Sequence, residues 1–117
     1  MELRTLLEKM VKVSSSDLHL KAGAPPVFRI DGRLVAEKGE SLTPEIVKTM
    51  AYQIMSPNQQ QTFERMKEMD FASSVRGIGR FRVNVFIQRG SIAIAMRSIP
   101  ISVRRIDELN LPLIIKE

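Results

Sequence analysis

The chain has 117 residues, a net charge of +5 and a sequence pI near 10.0, with 44% hydrophobic and 26% charged residues, as expected for one soluble domain with a modest core. It has no cysteine and one histidine, which excludes disulfides, thiolate metal sites and multi-histidine metal sites. The excess positive charge attracts phosphate, whether in a nucleotide, a nucleic acid or a lipid surface, and the alternative is a basic surface that is simply solvated.

An amphipathic helix is predicted at the N-terminus, because apolar residues recur at helical spacing over residues 2–12: Leu3, Leu6, Leu7, Met10 and Val11. Three serines at 14–16 end this helix. Residues 17–20 then alternate polar and apolar side chains. The alternation predicts a short strand with two different faces: Leu18 and Leu20 on one, Asp17 and His19 on the other.

A tight hairpin is predicted at Asp31-Gly32. This dipeptide lies between two short strand-like stretches, residues 27–30 and 33–35, and follows a segment broken by glycine and proline. Asp-Gly between apolar stretches is a strong hairpin signal, because a type I′ turn needs positive φ at both of its central residues.

Two further helices are predicted, each beginning with a capping residue and a proline. Thr43 precedes Pro44 and Ser56 precedes Pro57, the order expected at a helix N-terminus. Gln59 is placed to complete a capping box with Ser56. The residues predicted to face the core are Ile46, Val47, Met50 and Ile54 in the first helix, and Phe63 and Met66 in the second.

Three strands are predicted to follow, over residues 69–75, 80–88 and 91–98, with a turn at 76–79 between the first two. Residues 100–112 are polar, irregular and bounded by prolines, as an interdomain linker would be. The element order α-β-ββ-αα-βββ predicts an α+β fold, with a mainly antiparallel sheet and helices packed on one side.

The last two strands carry most of the functional information. Alternation puts the apolar residues on one face: Phe81, Val83, Val85, Ile87, Ile92, Ile94 and Met96. Both strands must turn this face to the same side of the sheet. A two-residue loop at Arg89-Gly90, or a four-residue loop over 88–91, meets that condition. Either loop sets Arg82 directly opposite Arg97.

Two like charges that face each other across strands are destabilising, by about 0.2–1 kcal/mol. An anion bound by Arg82 and Arg97 would reverse the sign, and arginine suits phosphate because it is always charged and forks around phosphate oxygens. Arg80 adds a third cation to the same face. The sequence leaves an alternative open, in which these arginines solvate the sheet or pair with carboxylates such as Asp70.

The other candidate residues are better explained by structural roles. A hydrogen bond to Asp17 could orient His19, but no nucleophile or metal-ligand set accompanies this pair, so a structural or interface role is favoured. Gly77-x-Gly79 is too short for a phosphate loop and predicts a tight turn. Four methionines in and near the middle helices are predicted to fill the core: Met50, Met55, Met66 and Met69.

Five short motifs stand out along the chain: SDLHL at 16–20, GAPP at 23–26, RIDG at 29–32, RFRVN at 80–84 and RSIP at 97–100. In this order and at this spacing they closely resemble the N-terminal domain of the pilus retraction ATPases, within the family of type II and type IV secretion ATPases. The resemblance spans essentially the whole chain. It implies a PAS-like N-terminal domain over residues 1–99, followed over 100–117 by a linker and the start of an absent RecA-like ATPase domain.

The nucleotide site of such a RecA-like domain has no counterpart in the sequence. There is no G-x-x-x-x-G-K-[ST] motif, whose backbone N–H groups and lysine would hold a phosphate chain. We therefore expect a fragment that assists an ATPase and is inactive alone. The resemblance implies ATP and Mg²⁺ as cofactors of the full-length protein, with none required by the fragment. It also implies that N-terminal-domain arginines approach the ATP phosphates, by position Arg82 and Arg97, with Arg80 close by.

The resemblance also implies partners and a location. The expected partners are the RecA-like ATPase domains of the same and neighbouring subunits of a homohexamer, and a pilus platform protein of the inner membrane; no nucleic acid is expected. The first ten residues are too charged for a signal peptide, and the apolar stretches are far shorter than the roughly 20 residues of a membrane span. A cytoplasmic protein, peripheral at the inner membrane, is expected.

Two other classes of function stay open from the sequence. A small basic nucleic-acid-binding module fits the charge, but one Tyr, no Trp and five Phe, most at core-facing positions, leave few surfaces for base stacking. A PAS-like ligand-sensing module would need an apolar cavity with a few polar groups converging in it.

Overall fold

The computed structural model describes residues 2–100. This part of the chain holds three helices and six strands in the predicted order. They are α1 (Leu3–Lys12), β1 (Asp17–Leu20), β2 (Val27–Ile30), β3 (Arg33–Ala36), α2 (Pro44–Ile54), α3 (Pro57–Met66), β4 (Glu68–Val75), β5 (Gly79–Gln88) and β6 (Ser91–Ile99). Beyond Pro100, the predicted linker and the start of a RecA-like domain lie outside the described residues.

The strands form one antiparallel sheet in the order β3-β2-β1-β6-β5-β4. Four of the pairings join strands that are consecutive in sequence, and the fifth joins β1 to β6. In that central pairing Asp17 lies opposite Arg97 and Leu18 opposite Met96. The sheet is therefore assembled from two local three-stranded units, and the β1–β6 pairing holds them together.

One core lies between the sheet and the helices. Side chains from α1, α2 and α3 and from one face of the sheet form a single buried cluster. Its largest fully buried members include Phe28, Phe81, Leu7, Met10, Leu18, Leu20 and Met50. The predicted α+β class and antiparallel sheet are confirmed, while the PAS-like assignment stays a prediction.

The capping residues predicted from the sequence define where the middle helices begin. Thr43 Oγ1 accepts a hydrogen bond from the Ile46 backbone N–H at 3.2 Å, and Pro44 is the first residue of α2. Ser56 Oγ accepts from the Gln59 N–H at 3.3 Å, and Gln59 Oε1 accepts from the Ser56 N–H at 2.9 Å. This reciprocal pair is the predicted capping box of α3.

Both two-residue hairpin loops have the backbone that their glycines suggested. Asp31 and Gly32 have φ of 51° and 80°, and Arg89 and Gly90 have φ of 52° and 79°. Positive φ at both central residues is the mark of the type I′ turn, whose twist matches that of the flanking strands. The four-residue alternative for the second loop is thereby ruled out, since β5 extends to Gln88 and β6 begins at Ser91.

Met66 was predicted to face the core, and it is 63% exposed instead. Val11 and Ile87, which the sequence grouped with the apolar residues of a helix and of a strand face, are 48% and 40% exposed. Met66 is the last residue of α3, and Lys67 then takes a left-handed conformation that ends the helix, so Phe63 is the buried residue of this helix. Val11 lies beside the stripe through which α1 packs, because a one-residue step rotates a side chain by about 100° around a helix. The prediction that Met66 fills the core is wrong.

Candidate functional site

The β5–β6 hairpin has the register predicted from its alternation. Val83 lies opposite Met96, and Arg82 lies directly opposite Arg97. We call the side of the sheet that is turned away from the helices the open face. Arg80, Arg82 and Arg97 lie on this face and are exposed. The sequence therefore placed all three candidate arginines on the correct side of the sheet.

A row of charged residues crosses the open face at the level of these arginines. It runs through Arg29 on β2, Asp17 on β1, Arg97 on β6 and Arg82 on β5, each directly opposite the next. We call these four residues the charged row. Sequence reasoning missed Arg29 and Asp17 as members, because their place depends on the β1–β6 pairing. The only available signal was the alternation that put Asp17 on the polar face of β1.

Asp17 binds arginines on both sides within the charged row. Its Oδ1 accepts a hydrogen bond from Arg97 Nε at 3.1 Å, and its Oδ2 lies 3.5 Å from Arg29 Nε. Ser16 Oγ donates to the same Oδ2 at 2.8 Å. The Asp17 side chain is 12% exposed, whereas the Arg97 side chain is 74% exposed. A buried carboxylate thus anchors a guanidinium that extends into solvent.

Arg82 has a different carboxylate partner. Its Nε donates to Asp70 Oδ1 at 2.9 Å and its Nη2 to Asp70 Oδ2 at 3.4 Å. Both side chains are well exposed, Arg82 at 63% and Asp70 at 48%. Arg80 has an uncharged partner: its Nη1 donates a hydrogen bond to Ser74 Oγ at 3.1 Å. The pairing with Asp70 that the sequence left open is therefore present.

The two carboxyl groups are held in their charged form by different balances of forces. Burial by itself raises the pKa of the Asp17 carboxyl, but the hydrogen bonds from Ser16 and Arg97 and the charge of Arg97 outweigh it, so this pKa lies below its usual value. At Asp70 the hydrogen bond from Arg82 is the main cause of a lowered pKa. The Asp70 carboxylate in turn raises the pKa of Arg82.

These ion pairs offset the repulsion between Arg82 and Arg97 that the hairpin register creates. They do not cancel the positive charge, because four arginines, the three of the charged row and Arg80, share the open face with three carboxylates, Asp17, Asp70 and Glu68. Such a surface can attract and bind an anion. Contact of Arg80, Arg82 and Arg97 with phosphate stays a prediction.

The other sequence candidates lie outside this cluster or serve the fold. Asp17 accepts its hydrogen bonds from Ser16 and Arg97, so no Asp17–His19 bond is present among the described residues. Across residues 2–100, no group of three or more His, Asp or Glu side chains is placed to hold a metal ion. In the same range, no helix has both the length and the apolar character needed to cross a membrane.

The aromatic residues give the open face little capacity for base stacking. Four of the five phenylalanines are buried in the core: Phe28, Phe63, Phe71 and Phe81. Phe86 lies on the open face, because it is five residues from the buried Phe81 along β5 and side chains alternate along a strand. Single-stranded nucleic acid is commonly bound by successive aromatic rings along a basic groove. The described surface therefore disfavours a binding site for single-stranded nucleic acid.

Comparisons with known proteins give relatives among the type IV pilus ATPases. No family model matches the chain. The type IV pilus ATPase PilU of Pseudomonas aeruginosa is 38% identical over 117 residues, which is 100% of this chain and 31% of PilU. The type IV pilus retraction ATPase PilT of the same organism is 38% identical over 111 residues, which is 95% of this chain and 32% of PilT.

Solved structures agree with these relatives. A crystal structure of the pilus retraction motor PilT with bound ADP matches with a TM-score of 0.82 and 42% identity, over 96% of this chain and 33% of that one. The ATPase DotB of Legionella pneumophila matches with a TM-score of 0.73 and 25% identity, over 94% of this chain and 31% of that one.

Sequence and fold together make the chain homologous to type IV pilus and secretion motor ATPases. More particularly, it corresponds to the N-terminal domain of the type IV pilus ATPases PilT and PilU. The resemblance inferred from the five motifs is confirmed. The chain spans about a third of the length of the curated relatives that it matches, at 31% and 32% of PilU and PilT.

Proposed function

We propose that this chain is the N-terminal domain of a hexameric motor ATPase that drives type IV pilus retraction, and that Arg82 and Arg97, with Arg80 close by, contact the phosphates of ATP. The observation that carries the proposal is the position of Arg82 directly opposite Arg97 on the exposed side of the sheet. The similarity to PilT, a retraction motor solved with bound ADP, supports the choice of a nucleotide as the anion.

In this proposal the domain assists a reaction that it does not perform alone. A RecA-like domain, of the same or a neighbouring subunit, supplies the phosphate-binding loop and holds Mg²⁺. The arginines of this domain add positive charge beside the transferring phosphoryl group. They accelerate the reaction only to the extent that they stabilise the transition state more than bound ATP. The domain itself requires no cofactor.

The proposed setting follows from the same relationship. The full-length protein acts as a homohexamer in the cytoplasm, peripheral at the inner membrane, where a pilus platform protein is its partner. Contacts between this domain and a neighbouring RecA-like domain assemble the ring. The positive charge of the open face is then turned toward a nucleotide held between domains.

Steady-state ATPase kinetics of the full-length protein test the catalytic part of the proposal. A positioned arginine in phosphoryl transfer contributes about 10³-fold or more to kcat, and we expect Arg82→Ala and Arg97→Ala each to lower kcat by about tenfold or more, because two residues share the task. Arg80→Ala should have a smaller effect. Arg33→Ala, an exposed arginine on β3 outside the charged row, is the matched control.

The control must keep wild-type kcat, and the 117-residue chain alone should release no phosphate from ATP. Thermal melts check that each variant is folded. Wild-type kcat in both the Arg82 and the Arg97 variants would refute a role for these side chains in the reaction.

A further inference from the structure

Arg82 on β5 and Arg97 on β6, which lie opposite each other in the charged row, are held in different ways. Arg97 donates to Asp17 through Nε, and no further hydrogen bond from its Nη groups is present among the described residues. Arg82 donates to Asp70 through both Nε and Nη2. The outer end of Arg97 is therefore available to a ligand, whereas one whole edge of the Arg82 guanidinium is already used.

The two carboxylates differ in the same sense. Asp17 is 12% exposed and contacts Ser16, Arg29 and Arg97, so it has a fixed position. Asp70 is 48% exposed, and within residues 2–100 its side-chain hydrogen bonds come from Arg82. An exposed ion pair of this kind is weak, because both groups regain water when they separate. Asp70 can thus leave Arg82 at little cost, and Asp17 cannot leave the row so easily.

A phosphate group and a carboxylate bind arginine through the same pair of parallel N–H donors. We propose that Asp70 is a displaceable counter-ion that competes with phosphate for Arg82, whereas Asp17 is a positioning residue that orients Arg97 through Nε and leaves its outer nitrogens open. This inference rests on the proposed function, in which an anion binds at Arg82 and Arg97. It adds that Arg82, but not Arg97, has a carboxylate partner that competes with the ligand.

The Arg82–Asp70 ion pair affects the site both when it is empty and when a polyphosphate binds. Without a ligand, Asp70 neutralises Arg82 and relieves its repulsion with Arg97 across the hairpin. When a polyphosphate arrives, its larger negative charge replaces that of Asp70 on the same guanidinium. The affinity of the site for polyphosphate is then lower than the two arginines alone would give, by the strength of the Arg82–Asp70 pair.

Titration of the 117-residue chain with tripolyphosphate at low salt, without Mg²⁺, tests the competition. Asp70→Asn should bind about two- to fivefold more tightly than wild type, the range expected for loss of one exposed ion pair. Asp31→Asn is the matched control, since it makes the same charge change at an exposed position in the β2–β3 turn and Asn-Gly suits that turn equally well. It should bind as wild type does.

Two further variants make the test specific. The gain from Asp70→Asn should vanish when Arg82→Ala is added. Asp17→Asn should bind no more tightly than Asp31→Asn, although it removes a charge from the row itself, because Arg97 then loses its positioning carboxylate. Arginine Nε–H resonances should shift for Arg82 on release from Asp70.

Three results would overturn the inference: equal affinity of Asp70→Asn and Asp31→Asn, a gain that persists without Arg82, or no binding of tripolyphosphate by either wild type or Asp70→Asn. Its failure is distinguishable from failure of the proposed function. If Arg82→Ala lowers kcat of the full-length protein but Asp70→Asn leaves affinity unchanged, only the competition fails. If affinity rises in Asp70→Asn but kcat survives in both arginine variants, only the catalytic role fails.

Discussion

Asp17→Asn is the substitution that most directly perturbs the charged row. Asp17 lies on β1, the strand that joins the two halves of the sheet, and its carboxylate contacts Arg29 and Arg97 on the two neighbouring strands. The amide keeps the shape and one acceptor oxygen but loses the negative charge. The NH₂ group of the new side chain would also face an arginine or the Ser16 hydroxyl.

The loss of stability in Asp17→Asn depends on how exposed each of its contacts is. A hydrogen bond to a charged group contributes about 1.5–3 kcal/mol when it is shielded, and an exposed ion pair about 0.2–1 kcal/mol. Arg97 is 74% exposed and Arg29 is 41% exposed, so both contacts lie toward the lower end of that scale. We expect Asp17→Asn to lower the free energy of unfolding by about 1–2 kcal/mol. In a domain of this size, each kcal/mol lost lowers Tm by about 4–8 °C.

Urea and thermal unfolding of the 117-residue chain at pH 7 measure this loss. Asp31→Asn, with the same charge change in an exposed turn, should stay within about 0.5 kcal/mol of wild type. Asp70→Asn should also cost little, since its pair with Arg82 is exposed on both sides. If Asp17→Asn were as stable as Asp31→Asn, the reasoning that Asp17 ties three strands together through its charge would be refuted.

Three further predictions concern stability in acid, a helix cap and the core. Because the pKa of Asp17 is lowered in the folded protein, its ionised carboxylate stabilises the fold above the usual pKa of 3.8, and this stabilisation is lost as the pH falls below that value. Acid titration followed by circular dichroism should therefore show wild type losing more stability below pH 3.8 than Asp17→Asn does. Ser56→Ala should lower the free energy of unfolding by about 1 kcal/mol in urea melts, because it removes half of the capping box, and no change would contradict the cap. Met50→Ala should cost about 2–5 kcal/mol and Met66→Ala less than about 0.5, since one side chain is buried and the other exposed; equal losses would contradict the assigned packing.

The elements and the hairpin register were predictable because each depends on neighbours in sequence. Thr43 and Ser56 mark helix starts by their own chemistry, and Asp31-Gly32 marks a turn through its backbone preference. The Arg82–Arg97 juxtaposition followed from alternation within one hairpin, where the apolar faces of two adjoining strands must coincide.

The remainder of the site could not be predicted, because it depends on contacts between distant parts of the chain. Asp17 and Arg97 meet across 80 residues of sequence, and no local pattern specifies that β1 pairs with β6. The exposure of Met66 likewise depends on the left-handed turn at Lys67, a conformation that a lysine rarely adopts. Asp70 was foreseen as a partner, but its preference for Arg82 was not.

The central claim is that Arg82 and Arg97 contact the phosphates of ATP, and a structure of the full-length hexamer with a non-hydrolysable ATP analogue tests it most directly. The account predicts guanidinium nitrogens of both residues at about 2.7–2.9 Å from phosphate oxygens, with Arg97 still bound to Asp17 and Arg82 released from Asp70. A nucleotide bound with both guanidinium groups beyond about 3.5 Å of any phosphate oxygen, and both ion pairs intact, would contradict it.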